Sequence, residues 1–190
     1  MRKFKVNACV GISKIHNHLE IKDKILSLID SSNDSTCTQS DGSFISKYDY
    51  PLADTFERQW VKEIKPYLLP VLSDMINDLG YQGMDVKEIW YQQYLKGSAH
   101  SWHVHGRNFT GVYYLEYPEG SPPTEIISPY DLGVIKMDMV SEGDVIIFPA
   151  CWIHRAPINE GCRKTIISYN LNIRLPYPDE FKRKNLYSKR

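Results

Sequence analysis

Three of the chain's six histidines, His100, His103 and His105, fall within the segment Ala99-His100-Ser101-Trp102-His103-Val104-His105-Gly106. Imidazole is the commonest metal ligand among side chains, so clustering of this kind points to metal binding. Successive side chains of a strand point to opposite faces, which puts His103 and His105 on one face and is expected to turn His100 away. Two imidazoles on one rigid element make half of a site for a borderline metal such as iron or zinc. The third donor has to come from elsewhere in the chain. His154 is the candidate, since His16 and His18 lie far away near the N-terminus. The segment 143–149, Gly-Asp-Val-Ile-Ile-Phe-Pro, reads as a turn, a buried strand and a proline stop that carries 152–154 toward the mouth of a sheet.

Arg163 follows His154 by nine residues and opens the run Arg-Lys-Thr-Ile-Ile-Ser-Tyr-Asn, in which Arg163, Thr165 and Ile167 share a face. If that face is interior, the guanidinium needs a carboxylate, because an unpaired buried charge is costly and arginine pairs with carboxylates through two parallel hydrogen bonds. The carboxylate could belong to the protein or to a dicarboxylate cosubstrate such as 2-oxoglutarate. An exposed arginine at the strand start is the alternative.

These residues need a scaffold, and the pattern of the chain supplies one. Apolar residues at helical spacing predict a helix over 21–29, then a polar loop over 31–50 that is either a solvated linker or a substrate-facing lid. A longer helix is expected over 54–79, with Asp54 as its N-cap, Gly80 as its stop, and Pro66 and Pro70 kinking or dividing it. After Gly83 come short runs rich in Val, Ile, Tyr, Trp and Phe, predicting strands over 86–94, 99–105, 110–117, 125–128, 133–137, 144–148, 152–156 and 163–175. Eight strands suit a jelly roll, two facing sheets enclosing a mouth for a ligand. The reading is one mainly β domain, with helical support over 1–83, a core over 84–175 and a charged tail over 176–190.

Composition narrows the class further. With 190 residues, 42% hydrophobic and 24% charged, the chain suits one globular core. Lys plus Arg equals Asp plus Glu at 23 each, so no global field draws it to nucleic acid or to an anionic membrane. No continuous apolar run reads as a signal peptide or a membrane span. Cys9, Cys37, Cys151 and Cys162 lack metal-site or disulfide spacing, which suggests a reducing cytoplasmic setting, with Cys151 and Cys162 as small buried apolar side chains.

Over about 91–172 the sequence resembles the 2-oxoglutarate/iron(II) dioxygenases, in particular the prolyl-hydroxylase-like branch and its phage and bacterial relatives. Tyr94-Leu95-Lys96-Gly97 is similar to the segment before that family's first metal motif, and His103-Val104-His105 stands where the family has His-x-Asp. Segment 110–115 is similar to the following strand, 143–149 with His154 to the distal histidine motif, Arg163-Lys164-Thr165 to the Arg-x-Ser/Thr motif, and Ser168-Tyr169-Asn170 to a strand ending of the phage-type relatives. The resemblance implies a double-stranded β-helix (jelly-roll) fold. It implies iron(II) on His103, His105 and His154, with 2-oxoglutarate held by Arg163, Thr165, Tyr113 and Tyr94. The activity implied is hydroxylation of a C–H bond of a peptide or small molecule by O2, releasing succinate and CO2.

One departure matters. The family's usual triad is two histidines and a carboxylate, whereas this chain has His105 in the carboxylate's place, either as a ligand or as a group behind the ligands. Two rival readings follow. One is a three-histidine metalloenzyme indifferent to 2-oxoglutarate, as a cupin-like oxygenase or a zinc hydrolase; the other is a non-catalytic jelly-roll binding module. Trp102, Arg107, Tyr114, Trp152 and Arg155 are expected to flank the mouth.

Overall fold

The computed structural model describes residues 9–33, 36–40 and 42–174. In chain order its elements are β1 (Gly11–Lys14), α1 (His18–Asp30), β2 (Thr36–Ser40), β3 (Ser43–Tyr48), a 3-10 turn (Tyr50–Leu52), α2 (Gln59–Asp78), β4 (Met84–Tyr94), β5 (His100–His103), β6 (Phe109–Glu116), β7 (Glu125–Ile127), β8 (Val134–Lys136), β9 (Asp144–Pro149), β10 (His154–Ala156) and β11 (Lys164–Ile173). The expected tail over 176–190, the strand end at 175 and the first residues of the chain lie outside the described residues.

The strands form two antiparallel sheets, one ordered β1-β9-β6-β11-β4-β3-β2 and the other β5-β10-β7-β8. Alternation gives the larger sheet two apolar faces. Ile89, Tyr91, Tyr113, Leu115, Val145, Ile147, Ile167 and Tyr169 pack under the helices, against Ile25 and Ile29 of α1 and Ile64, Leu68 and Leu72 of α2. Val112, Tyr114, Ile146, Phe148 and Ile166 point the other way, onto Ile126 and Ala156 of the smaller sheet. The molecule is therefore layered as helices, large sheet and small sheet, with the gap between the sheets free to hold a site. Gly111 is required at one crossing: a Cβ there would lie 2.0 Å from the Ile146 carbonyl oxygen and 2.6 Å from the Tyr169 hydroxyl.

Four expectations are corrected. The stretch read as a loop over 31–50 contains the β2–β3 hairpin and the 3-10 turn; its strands carry serine, threonine and lysine, so apolar alternation could not reveal them. β1 is a further strand, added beside β9 at the edge of the large sheet. α2 starts at Gln59 rather than near Asp54, and it runs through both prolines as one helix. Pro66 and Pro70 are four residues apart on its exposed side, where the carbonyls they leave unbonded can reach water. The four cysteines are free and exposed, so burial expected for Cys151 and Cys162 is not found. No described helix is long and apolar enough to cross a membrane.

Asp49 ties the helical layer to the strand that carries much of the site. One carboxylate oxygen accepts from the Arg58 guanidinium at the start of α2 and from Trp60 Nε1 at 2.9 Å; the other accepts the backbone N–H of Tyr91 in β4 at 2.8 Å. Asp49 is 1% exposed. Removing one partner of a buried ion pair strands the other, so Asp49→Ala is expected to cost about 3–5 kcal/mol. A urea midpoint within error of the wild type would refute that.

Candidate active site

Three imidazoles meet between the sheets. His103 ends β5 and lies in register opposite His154 on β10, with ring centroids 4.3 Å apart. His105 follows just beyond β5, where its backbone N–H bonds the Ala150 carbonyl at 2.9 Å. Its ring lies 5.0 Å from that of His103 and 5.1 Å from that of His154. One ring nitrogen from each of the three lies within 4.8 Å of the others.

Hydrogen bonds set the tautomers of two rings. His103 Nδ1 is 2.7 Å from the Ser101 carbonyl and His154 Nδ1 is 2.9 Å from the Trp152 carbonyl. A carbonyl only accepts, so each Nδ1 carries the proton and each Nε2 presents a lone pair, the arrangement usual behind a metal-bound histidine. Burial keeps these rings neutral, the form that ligates. It pulls His154 down to about 3, helped by neighbouring His103, and His105 down to about 4 despite the opposing charge of Glu88. His103 is lowered by burial as well. The residues fit a divalent metal: three neutral nitrogen donors converge, and two have their far side fixed.

His100 departs from expectation. Between β5 and β10, His154 faces His103 and Ala156 faces His100, so Ser101 and Trp102 together oppose Arg155 alone. The extra residue is a bulge, which breaks strict alternation. His100 therefore joins the cleft, stacks on His103 at 3.8 Å between centroids, and lies with Nδ1 3.3 Å from Gln92 Nε2. Burial, then His103, brings its ring down to about 3.

The large sheet supplies the opposite wall. Trp90, Gln92 and Tyr94 of β4, Thr110 and Val112 of β6, and Ile166 and Ser168 of β11 line the cleft, with Thr124 at its side. The next position in the β11 row is Lys164, in register opposite Tyr94. Lys164 is 2% exposed; its Nζ donates to the Pro122 carbonyl at 2.9 Å and sits 4.9 Å from the centre of the Tyr94 ring. No carboxylate pairs with it among the described residues, and burial pulls its ammonium down to about 7. The Tyr94 hydroxyl is likewise buried with no hydrogen-bond partner among the described residues.

Arg163, Thr165 and Tyr113 are not brought to this cleft. They lie on the helical side of the large sheet, the face that buries Ile167 and Tyr169. Arg163 donates to Glu116 at 2.8 and 3.1 Å and to Asp30 at 2.9 and 3.0 Å, Thr165 bonds Glu116 at 2.7 Å, and the Tyr113 hydroxyl meets His18 Nδ1 at 2.7 Å. The shared face of Arg163, Thr165 and Ile167 is as expected, but it is the face under α1. Lys164, Gln92, Ser168 and Thr124 were missed; strand parity groups Gln92 with Tyr94 and Lys164 with Ser168, while Thr124 lies outside any strand and carries no such signal. At the mouth, Arg155 lies over the Trp102 ring at 4.4 Å and Arg107 pairs with Glu88 at 2.7 Å, while Tyr114 and Trp152 are core residues. A hollow of about 640 Å³ lies elsewhere, between α2 and the start of β4, and among the described residues no metal-ligand cluster lines it.

No protein-family model matches the sequence, and no curated protein matches it. Solved structures do match. A 2OG-Fe(II) oxygenase family oxidoreductase from Burkholderia pseudomallei superposes with a TM-score of 0.69 at 12% identity, over 86% of this chain and 85% of that one. A Pseudomonas putida prolyl-4-hydroxylase gives 0.60 at 11% identity, over 89% and 94%. A Trichoplax adhaerens prolyl hydroxylase, in complex with a hypoxia inducible factor oxygen degradation domain peptide fragment, gives 0.61 at 17% identity, over 95% and 87%. The chain thus has the fold of 2OG-Fe(II) oxygenases, with prolyl hydroxylases among its structural neighbours.

Proposed function

We propose that this protein is an iron(II)- and 2-oxoglutarate-dependent oxygenase that hydroxylates a C–H bond of a peptide or small molecule. One observation carries the reading: three imidazoles converge in the inter-sheet cleft, and a buried lysine with no carboxylate partner among the described residues stands in the same row of β11 as the cleft residues Ile166 and Ser168. In this reading the seven- and four-stranded antiparallel sheets that frame the cleft are taken as the double-stranded β-helix of this class.

His103, His105 and His154 would hold the metal. When bound, iron(II) together with 2-oxoglutarate supplies the oxidative chemistry, which uses O2 and releases succinate and CO2. The chain's own groups do the positioning. Lys164 takes the far carboxylate of 2-oxoglutarate through a charge-assisted hydrogen bond, with the Tyr94 hydroxyl as a second donor. Of the four residues to which the motif resemblance gave this part, Tyr94 keeps it, and Lys164 takes the place of Arg163, Thr165 and Tyr113. Ile166, Phe148 and Val112 exclude water from the cleft, which strengthens every polar contact within it. The four free thiols suit the reducing cytoplasm.

Purified protein supplied with iron(II), 2-oxoglutarate and O2 is expected to release succinate, slowly without its primary substrate and faster when a substrate panel contains it. Stoichiometric zinc that iron cannot displace, with no 2-oxoglutarate binding, would instead establish a hydrolase-type site.

A further inference from the structure

Resting on the reading of His105 as third ligand, we propose that Asn170 and Glu88 position that ring. The Asn170 carboxamide oxygen takes the His105 Nδ1–H while its nitrogen donates to the Glu88 carboxylate, so a carboxylate outside the ligand set supports a metal held by imidazoles alone.

The argument starts from an asymmetry. His103 and His154 each have an Nδ1 on a carbonyl two residues earlier in the chain, and so a defined tautomer. His105 Nδ1 instead lies 3.5 Å from Asn170 Nδ2. That nitrogen donates to Glu88 Oε2 at 2.6 Å and, as an NH2 group, cannot accept a proton from His105. Asn170 is 2% exposed, and its Oδ1 is buried without a hydrogen-bond partner among the described residues. A buried acceptor without a donor is rare in folded proteins. Here an acceptor in search of a proton stands beside an imidazole whose proton needs an acceptor. In the proposed arrangement the carboxamide turns to put Oδ1 on that proton while Nδ2 keeps its bond to Glu88.

The surroundings fix the rest of the chain of contacts. Asn170 and Glu88 are register partners on β11 and β4, so their separation is set by the sheet. The second Glu88 oxygen accepts from Arg107 Nη2 at 2.7 Å, which keeps the carboxylate turned toward the site. Trp90 packs on His105 with centroids 5.6 Å apart and limits rotation of the ring. Partners behind a ligating histidine orient it and raise its basicity. In this site they also place a negative charge two hydrogen bonds from the metal, where two-histidine-one-carboxylate sites have one bonded directly.

Cobalt(II) titrated into the metal-free full-length protein tests this, with affinity and the visible spectrum of the complex as readouts. Asn170→Leu and Glu88→Gln are each expected to weaken cobalt(II) binding about 10- to 100-fold and to alter the spectrum. The double variant is expected to be no worse than the weaker single one, because both break one chain of contacts. Glu88→Gln is nearly isosteric and only half-buried, so it remains informative if Asn170→Leu does not fold. Nitrogen chemical shifts of the metal-free wild type are expected to show His105 with its proton on Nδ1. Unchanged affinity and spectrum in Glu88→Gln, alongside lost binding in His105→Ala, would overturn the positioning role alone. Wild-type affinity in His105→Ala would remove the three-histidine reading and this proposal with it.

Discussion

Lys164→Met is expected to weaken 2-oxoglutarate binding by roughly 30- to 4,000-fold, the equivalent of the about 2–5 kcal/mol lost when one partner of a buried charged contact is truncated. Arg163→Met is the control. Its guanidinium lies on the other face of the sheet, bonded to Glu116 and Asp30, so cosubstrate affinity is expected to stay within about twofold while stability falls by about 1 kcal/mol, or about 2–4 °C in Tm. Titration calorimetry on both variants decides between them. Loss of binding in the arginine variant alone would return the carboxylate to Arg163.

The lysine also makes binding depend on pH in a predictable direction. Burial holds its ammonium at about 7 against an ordinary value of 10.5. Between those values the unfolded chain carries a proton that the cosubstrate-free fold lacks, so this residue's contribution to stability rises with pH there, and the cost of burying its charge is fully present below about 7. A carboxylate ligand needs the charged form. Above about 7, therefore, 2-oxoglutarate binding takes up a proton, and affinity is expected to fall by up to about tenfold per pH unit. Calorimetry in buffers of different ionisation enthalpy is expected to show proton uptake approaching one per ligand at about pH 8.5 and none at about pH 5.5. Lys164→Met removes that uptake. A pH-independent affinity in the wild type would count against the ammonium as the anchor.

Why the ligands were legible in the sequence and the anchor was not follows from the physics of strands. Clustered histidines at even spacing, with one more after a turn-strand-proline run, are uncommon enough that residue type alone marks them. A carboxylate anchor is marked only by which way a strand faces. Period-two alternation shows that Arg163 and Thr165 go together, but not whether their side of β11 meets helices or the second sheet. Both faces of that sheet are buried, so β11 is buried along most of its length, polar residues included, and the usual contrast between an inner and an outer face is missing. A bulge hides His100 for a related reason, since one inserted residue reverses parity locally. The β2–β3 hairpin is silent to hydrophobic patterning, although the dipeptide Asp41-Gly42 is a turn signal that could have revealed it.

The second large effect concerns the metal itself. A ligand that binds only the folded state, present at about 100 times its Kd, adds about 2.7 kcal/mol of stability. For a chain of this length that corresponds to a rise of about 5–11 °C in Tm. Iron(II) under anaerobic conditions, or cobalt(II) as its substitute, is expected to produce such a rise in the wild type. His103→Ala and His154→Ala are each expected to abolish it, because these two rings face one another across paired strands and removal of either leaves no preorganised pair. His100→Ala is the discriminating variant. Its ring stacks on His103 and shares the cleft, yet its nitrogen is not among the three that converge, so the metal-induced rise is expected to survive. If His100→Ala instead eliminates the rise while His105→Ala preserves it, the ligand set is His100, His103 and His154. The bulge in β5 would then be the feature that builds the metal site, and the even spacing of His103 and His105 would have no part in it.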